Sequence, residues 1–215
     1  MLRTKMIYKF YQQRVFPHIL NQVMQLPSMM DSRRRLLLPI QGEVLEIGFG
    51  TGINLPFYQA VDSLYALEPS LDVYKLAEQR IQDAPFHVEH VHAKAENLPF
   101  EDQSIQHVVS TWTLCSVSHV QQVLHEIKRV LRIGGTLHLV EHVAYDAQQQ
   151  KSLKRLQDLL TPVQKVIADG CHLNRNIEQA LLDAGFEISE LDYFEAEEVP
   201  KVGRRMMLAR ATKTN

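Results

Sequence analysis

Apolar and polar positions along the chain alternate between short apolar blocks and longer stretches with helical spacing. Val44, Leu45 and Ile47 predict a first strand, and residues 63–67, 86–91, 106–112 and 136–142 predict four more. Between them, residues 71–81 and 119–131 repeat their apolar positions every three to four residues, roughly one helical turn. Strand and helix in turn imply a parallel sheet with helices on both faces. After His142 the order changes. Residues 147–168 predict a helix interrupted at Pro162, and 177–184 a helix stopped by Gly185. Residues 186–194 and 205–212 then predict two strands, close enough in sequence to pair antiparallel. The expectation is an α/β fold with a seven-stranded, mostly parallel sheet and a terminal antiparallel pair.

Ahead of the first strand, Leu2, Met6, Phe10, Val15, Ile19 and Val23 recur roughly every four positions among Lys5, Lys9 and Arg14, as in an amphipathic helix. Three roles are open to it: packing on its own domain, lying on a membrane surface through its basic and aromatic face, or covering a site as a lid. Length and composition, 215 residues of which 45% are hydrophobic, fit one domain over residues 1–215, with 1–40 a helical extension. A formal charge of −2 argues against a nucleic-acid partner held by counterion release. Arg33, Arg34 and Arg35, the compact basic run, predict a solvated helix face. Two cysteines make no disulfide framework, the first residues carry charges where a signal peptide is apolar, and no apolar run of about twenty residues is present. A cytoplasmic protein is expected.

The stretch LEIGFGTG, residues 45–52, follows the first strand and predicts strand, tight loop and helix in succession. Glycines there let backbone N–H groups approach a ligand where a Cβ would collide. A dinucleotide fingerprint needs its third glycine at 53, where this chain has Ile53. Glu46 is an acid inside a buried strand, costly unless it meets a donor or a cation. Glu68 ends the second predicted strand about twenty residues after the loop, the place where an acid accepts bonds from ribose hydroxyls in doubly wound folds.

Acid, glycine, glycine, glycine in this order resembles the first motif of the class I S-adenosylmethionine (SAM) methyltransferases, and the AENLPF segment after the third strand resembles the same superfamily. The resemblance implies a Rossmann-like sheet, SAM as cofactor and S-adenosylhomocysteine as product. It implies cofactor contacts at Glu46, Gly48, Phe49, Gly50, Gly52, Asn54, Glu68 and Pro69. Further contacts are implied at Ala95 and Glu96 near the adenine, and at Thr111 and Leu114 after the fourth strand. Many relatives carry an acid directly before that alanine; here it is Lys94. TWTLCSV (111–117), VEHV (140–143), DGCHLNR (169–175) and RVLRIGG (129–135) narrow the likeness to a methyltransferase-like family whose animal members are thiol S-methyltransferases. Those animal proteins carry an apolar N-terminal anchor, a pattern that residues 1–13 do not show.

Methyl transfer from a sulfonium is an in-line displacement in which positioning supplies most of the acceleration, and a thiol acceptor asks only for a modest base. His142 at the end of the fifth strand is the candidate base, with Cys115 and Asp169 as further catalytic candidates, and Trp112, Cys171, His172 and Arg175 as acceptor contacts. The Asn/Asp-Pro-Pro-Tyr signature of nucleic-acid amino methyltransferases is missing. Of His87, His90 and His92 only the last two share a strand face, so no metal is expected. The reading is methyl transfer to a small molecule, a thiol first. Oxygen, nitrogen or carbon of a lipid headgroup or quinone is the alternative acceptor, and a SAM-binding regulatory module without turnover is the alternative class.

Overall fold

Seven strands form one sheet in the order β3-β2-β1-β4-β5-β7-β6 in the computed structural model, which describes residues 10–215; side chains 12 and 13 are outside that description. The strands are β1 (Gln41–Ile47), β2 (Ala60–Leu67), β3 (His87–Val91), β4 (Ile105–Thr111), β5 (Leu131–His142), β6 (Glu187–Glu195) and β7 (Arg205–Thr212). Strands β1 to β5 pair parallel, and β7 runs antiparallel to both β5 and β6. This is the expected Rossmann-like architecture.

The period-two alternation of the strands sorts apolar side chains to two layers. Leu45, Val108, Leu137, Leu139 and Met207 join Leu124, Ile127 and Leu181 from helices α5 (Val120–Val130) and α7 (Ile177–Asp183). Val44, Leu64, Val109, Val140 and Leu208 join Leu36 and Leu37 from α2 (Pro27–Leu37) on the other face. The order in which strands are added reverses between β1 and β4, so their carboxyl ends leave a crevice.

Several expectations are corrected. No α-helix follows the glycine loop: the chain makes only a 3₁₀ turn at Leu55–Phe57 before β2, and Pro56 inside that turn has no N–H to extend it. The helix predicted over 71–81 is broken into α3 (Leu71–Tyr74), a 3₁₀ turn at Lys75–Ala77 and α4 (Glu78–Gln82). The amphipathic helix predicted from Leu2 lies partly outside the described residues. Within them, a π turn at Tyr11–Val15 runs into α1 (Phe16–Val23), whose start carries Pro17. Its stripe is not packed away: Phe10, Val15, Ile19 and Val23 are exposed. Arg33 is not solvated either; it is 3% exposed, on the α2 face that buries Met29, Leu36 and Leu37. Among the described residues no helix is long and apolar enough to cross a membrane.

Pro162 does not interrupt its helix. Helix α6 (Lys151–Ile167) continues through it because tertiary bonds fix the turn before the proline. The fully buried Gln157 accepts from Tyr145 N at 2.8 Å and donates to Val202 O at 3.1 Å; within the helix, the Thr161 hydroxyl donates to the Gln157 carbonyl at 2.7 Å. A proline inside a helix deprives one carbonyl of its donor and costs about 3 kcal/mol relative to alanine. Pro162→Ala should therefore raise stability by about 2 kcal/mol in urea denaturation.

Candidate active site

A cavity of about 740 Å³ opens at the crevice, within the roughly 300–1,000 Å³ of small-molecule sites. The glycine loop and the carboxyl ends of β1, β2, β4 and β5 line it, together with α1 residues Phe16, Leu20 and Asn21 and the 168–171 segment after α6. Ile19, Leu20 and Val23 of α1 are 41–46% exposed where they border this cavity. Thr51 donates from its hydroxyl to Asn21 Oδ1 at 2.8 Å, joining the loop to α1.

The loop is pinned to the sheet. Gly48 N and Phe49 N both donate to Leu67 O, at 3.0 and 3.1 Å. Gly48 has φ +69°, and a Cβ there would stand 2.1 Å from Thr113 Oγ1, so only glycine lets the loops after β1 and β4 meet. A Cβ on Gly50 would meet nothing closer than 3.8 Å, leaving its cavity side open.

Buried carboxylates organise the rest. Glu46, 1% exposed, accepts from Asn54 Nδ2 at 3.0 Å and from the Tyr58 hydroxyl at 2.7 Å. Asn54 also donates to Thr111 Oγ1 at 3.0 Å and accepts from Arg33 Nε at 2.8 Å. Arg33 Nη1 donates to Met24 O at 2.7 Å, and its guanidinium lies 4.5 Å from the Trp112 ring centre. Burial lowers the Arg33 pKa to about 10, against the charge of Glu46. Glu68 accepts from Gly50 N at 3.0 Å and Ser70 N at 2.9 Å, yet still faces the cavity. Burial raises its pKa, opposed by those two N–H groups.

Sequence reasoning missed Glu141 and Arg33. Glu141, fully buried in β5, accepts from Thr113 N, Leu114 N and Cys115 N at 2.9–3.1 Å and from the Ser110 hydroxyl at 2.8 Å. It shapes the turn after β4, where Trp112 takes φ +53°. An acid inside the apolar run LHLVEHV was a signal for it, and the spacing Met29, Arg33, Leu36, Leu37 was one for Arg33.

His142, 5% exposed, has Nδ1 4.0 Å from Cys171 Sγ, while its Nε2 has no hydrogen-bond partner. Cys171 Sγ is 3.9 Å from Cys115 Sγ. The Cys115 hydrogen bond and His142 pull the Cys171 thiol down to about 5 against burial, and the same cluster raises Cys115.

The structure brings Glu46, Gly48, Phe49, Gly50, Asn54, Glu68, Pro69, Thr111, Trp112, Cys115, His142, Asp169 and Cys171 onto one cavity. Six other predicted residues stand off it. Leu114 is in the core, and Gly52 packs on Ala77, Phe49 and Leu55. Ala95 is core as well, and the Glu96 carbonyl accepts from Gln122. His172 and Arg175 sit behind the wall. Arg175 Nη1 donates to Leu114 O and Val117 O at 2.5 and 2.9 Å, and His172 N to Cys115 O at 2.9 Å. His90 and His92 place Nε2 on the Glu68 and Pro69 carbonyls.

A methyltransferase domain model matches residues 45–139, from β1 into β5. Human (Homo sapiens) thiol S-methyltransferase TMT1A is 34% identical over 160 residues, 71% of this chain and 63% of that protein. Human thiol S-methyltransferase TMT1B is 33% identical over 180 residues, 77% of this chain and 71% of that one. A geranyl diphosphate methyltransferase solved in complex with SAM superposes with a TM-score of 0.66 at 14% identity, covering 86% of this chain and 84% of that one, a likeness of fold. Fold and cavity thus define the class, SAM-dependent methyltransferases. Within it, the chain belongs to the family of the thiol S-methyltransferases TMT1A and TMT1B, and spans about 63% of the length of TMT1A.

Burial pushes the Glu46 carboxyl from 4.5 up to about 7, with Tyr58, Asn54 and Arg33 pulling the other way. The folded chain then holds a proton that the unfolded chain has released. This contribution is full below pH 4.5 and is lost as pH rises through about 7. It amounts to something on the order of 3 kcal/mol. Urea denaturation of the ligand-free protein at acidic and alkaline ends of that window should show stability falling with pH, and Glu46→Gln should flatten the fall.

Proposed function

We propose that the chain transfers the methyl group of SAM to a small thiol. The observation that carries this reading is a single cavity with two unlike ends. One end has the open glycine loop with Glu46 and Glu68; the other has His142, whose Nδ1 lies 4.0 Å from Cys171 Sγ, with Cys115 Sγ 3.9 Å from that sulfur.

The residues present fit the cofactor. Glu68 keeps free lone pairs for ribose hydroxyls, and Glu46 is a buried acid with one fixed cationic neighbour, suited to an ammonium. The cavity side of Gly50 is space that any side chain would fill. Bound SAM supplies an electrophilic methyl on a positively charged sulfur.

The acceptor end is the chain's own work. A free thiol has a pKa near about 8.5, so a few per cent is thiolate at neutral pH and a nearby base raises that share. His142 is the base, taking the acceptor proton at Nδ1, 4.0 Å from Cys171 Sγ, inside an apolar wall. Trp112, Met206 and Leu20 supply that apolar wall. Asp169 and Cys171 contact the acceptor, and Cys115 fills the space between. His172 and Arg175 act as positioning residues, holding the carbonyls of the turn after β4. In residues 1–40, α1 covers the site, anchored through Asn21 and Met24.

Incubating the purified protein with methyl-labelled SAM and separate pools of small thiols, amino lipids and quinone precursors should put the label in a thioether. Label only on nitrogen, oxygen or carbon, or cofactor binding without turnover in any pool, overturns the assignment. His142→Ala should lower kcat/KM for the thiol by about 100-fold or more, with S-adenosylhomocysteine binding retained.

A Cβ at position 48 cannot be accommodated without moving the Thr113 turn, whereas one at 50 carries only the backbone strain of positive φ, about 1–2 kcal/mol. Calorimetry should find S-adenosylhomocysteine binding lost in Gly48→Ala, and weakened about 10-fold in Gly50→Ala.

A further inference from the structure

The two cysteines of the chain are 56 residues apart in sequence and meet in the wall of the cavity. The segments that carry them are packed together. His172 N donates to the Cys115 carbonyl at 2.9 Å, and His172 Nδ1 lies 3.2 Å from the same oxygen. At Gly170 a Cβ would come within 2.7 Å of Ser116 O. The sulfurs are 3.9 Å apart, and a disulfide needs about 2.05 Å, so bond formation asks them to close by about 2 Å.

Their surroundings differ. Cys115 is 2% exposed, with Sγ 3.5 Å from Trp112 O and 3.6 Å from Ser116 Oγ. Cys171 is partly exposed, and its Sγ lies 4.0 Å from His142 Nδ1. That is the division between an attacking and a resolving thiol.

We propose that Cys115 and Cys171 form a redox-active dithiol site that exchanges with low-molecular-weight disulfides, and that its disulfide form shuts the acceptor end of the cavity. The exchange stands apart from the acceptor reading; the shutting rests on it. In the first step the Cys171 thiolate attacks one sulfur of the disulfide RS–SR. The Cys171–SR bond forms, the S–S bond of RS–SR breaks, and RS⁻ leaves, taking the proton that Cys171 gave up to His142. In the second step Cys115 loses its proton to His142, attacks Cys171 Sγ and expels the second RS⁻, which takes that proton. The protein dithiol is oxidised by two electrons and RS–SR is reduced to two RSH. The contact with Cys115 and the neighbouring His142 favour the Cys171 thiolate, and the contact with Cys171 together with burial keeps Cys115 protonated until the mixed disulfide stands beside it. In the product no thiolate remains beside His142, and the sulfur facing the acceptor is bonded to its neighbour.

Exposing the full chain to oxidised glutathione, then measuring intact mass and free thiols, tests the exchange. The wild-type protein should become lighter by two hydrogens and lose both thiols, and a phosphine reductant should restore them. Cys115→Ser should instead trap glutathione on Cys171, and Cys171→Ser should leave Cys115 unmodified. Two thiols that persist in the wild-type protein, or a mixed disulfide that never resolves, overturn the proposal whatever the variants do. The oxidised protein should bind S-adenosylhomocysteine as the reduced one does, and its methyl transfer should fall at least tenfold and recover on reduction. A disulfide that forms without changing turnover overturns the shutting. If the disulfide forms while the reduced protein turns over no acceptor, it is the methyl-transfer reading that fails and the exchange that stands.

Discussion

Three carboxylates buried at the carboxyl ends of the central strands impose the constraint from which the site follows. Glu46 in β1, Glu68 after β2 and Glu141 in β5 are each 8% exposed or less. An ionised carboxylate out of water is costly unless donors replace its hydration, and here the donors are the loops themselves. Gly50 N and Ser70 N serve Glu68, and three consecutive N–H groups with the Ser110 hydroxyl serve Glu141. Each loop must therefore fold around its acid. The loop geometry is set before any ligand arrives, and preorganisation of this kind is where an enzyme of positioning gains its rate.

Arg33 extends the same constraint to the chain ahead of the sheet. Its Nε holds Asn54, its Nη1 holds the Met24 carbonyl at the end of α1, and its plane lies over Trp112. Only a planar, forked cation makes these three contacts at once; a lysine supplies a point charge and no stacking face. Through Arg33 helix α1, the glycine loop and the turn after β4 form one polar cluster, with Glu46 at its centre.

Much of the sheet was legible because its strands are apolar blocks bounded by polar turns, and the glycine loop was legible because glycine and acid spacing carry their own geometry. What failed to show in sequence failed for physical reasons. The 3₁₀ turn after the loop depends on Pro56 and on the short path to β2. Pro162 passes through a helix because Gln157, in the turn before it, is tied to Tyr145 N and Val202 O from outside the helix. Arg33 looked like one of three solvated arginines, since a charge run says nothing about which member faces inward. His172 and Arg175 sit in a polar segment beside the cavity, yet their donors point at backbone carbonyls behind its wall. The meeting of Cys115 and Cys171 depends on the crossing from β4 to the loop after α6, which no local pattern encodes.

The fold by itself leaves the acceptor open, since ligands at a doubly wound switch point are chosen by the loops. On the proposed thiol reading, the selection lies in the chemistry of the acceptor end. Beside the apolar Trp112, Leu20 and Met206, its ionisable groups are His142, Asp169 and the cysteines, with Thr113, Ser116 and Gln164 as neutral polar neighbours. An alkyl ammonium must lose a proton of pKa near about 10 before it can attack, and an alcohol is harder still to activate. A thiol, ionised in part at neutral pH, needs one imidazole and a dry wall. The two proposals, thiol methylation and thiol–disulfide exchange, thus draw on a single arrangement of His142, Cys115 and Cys171.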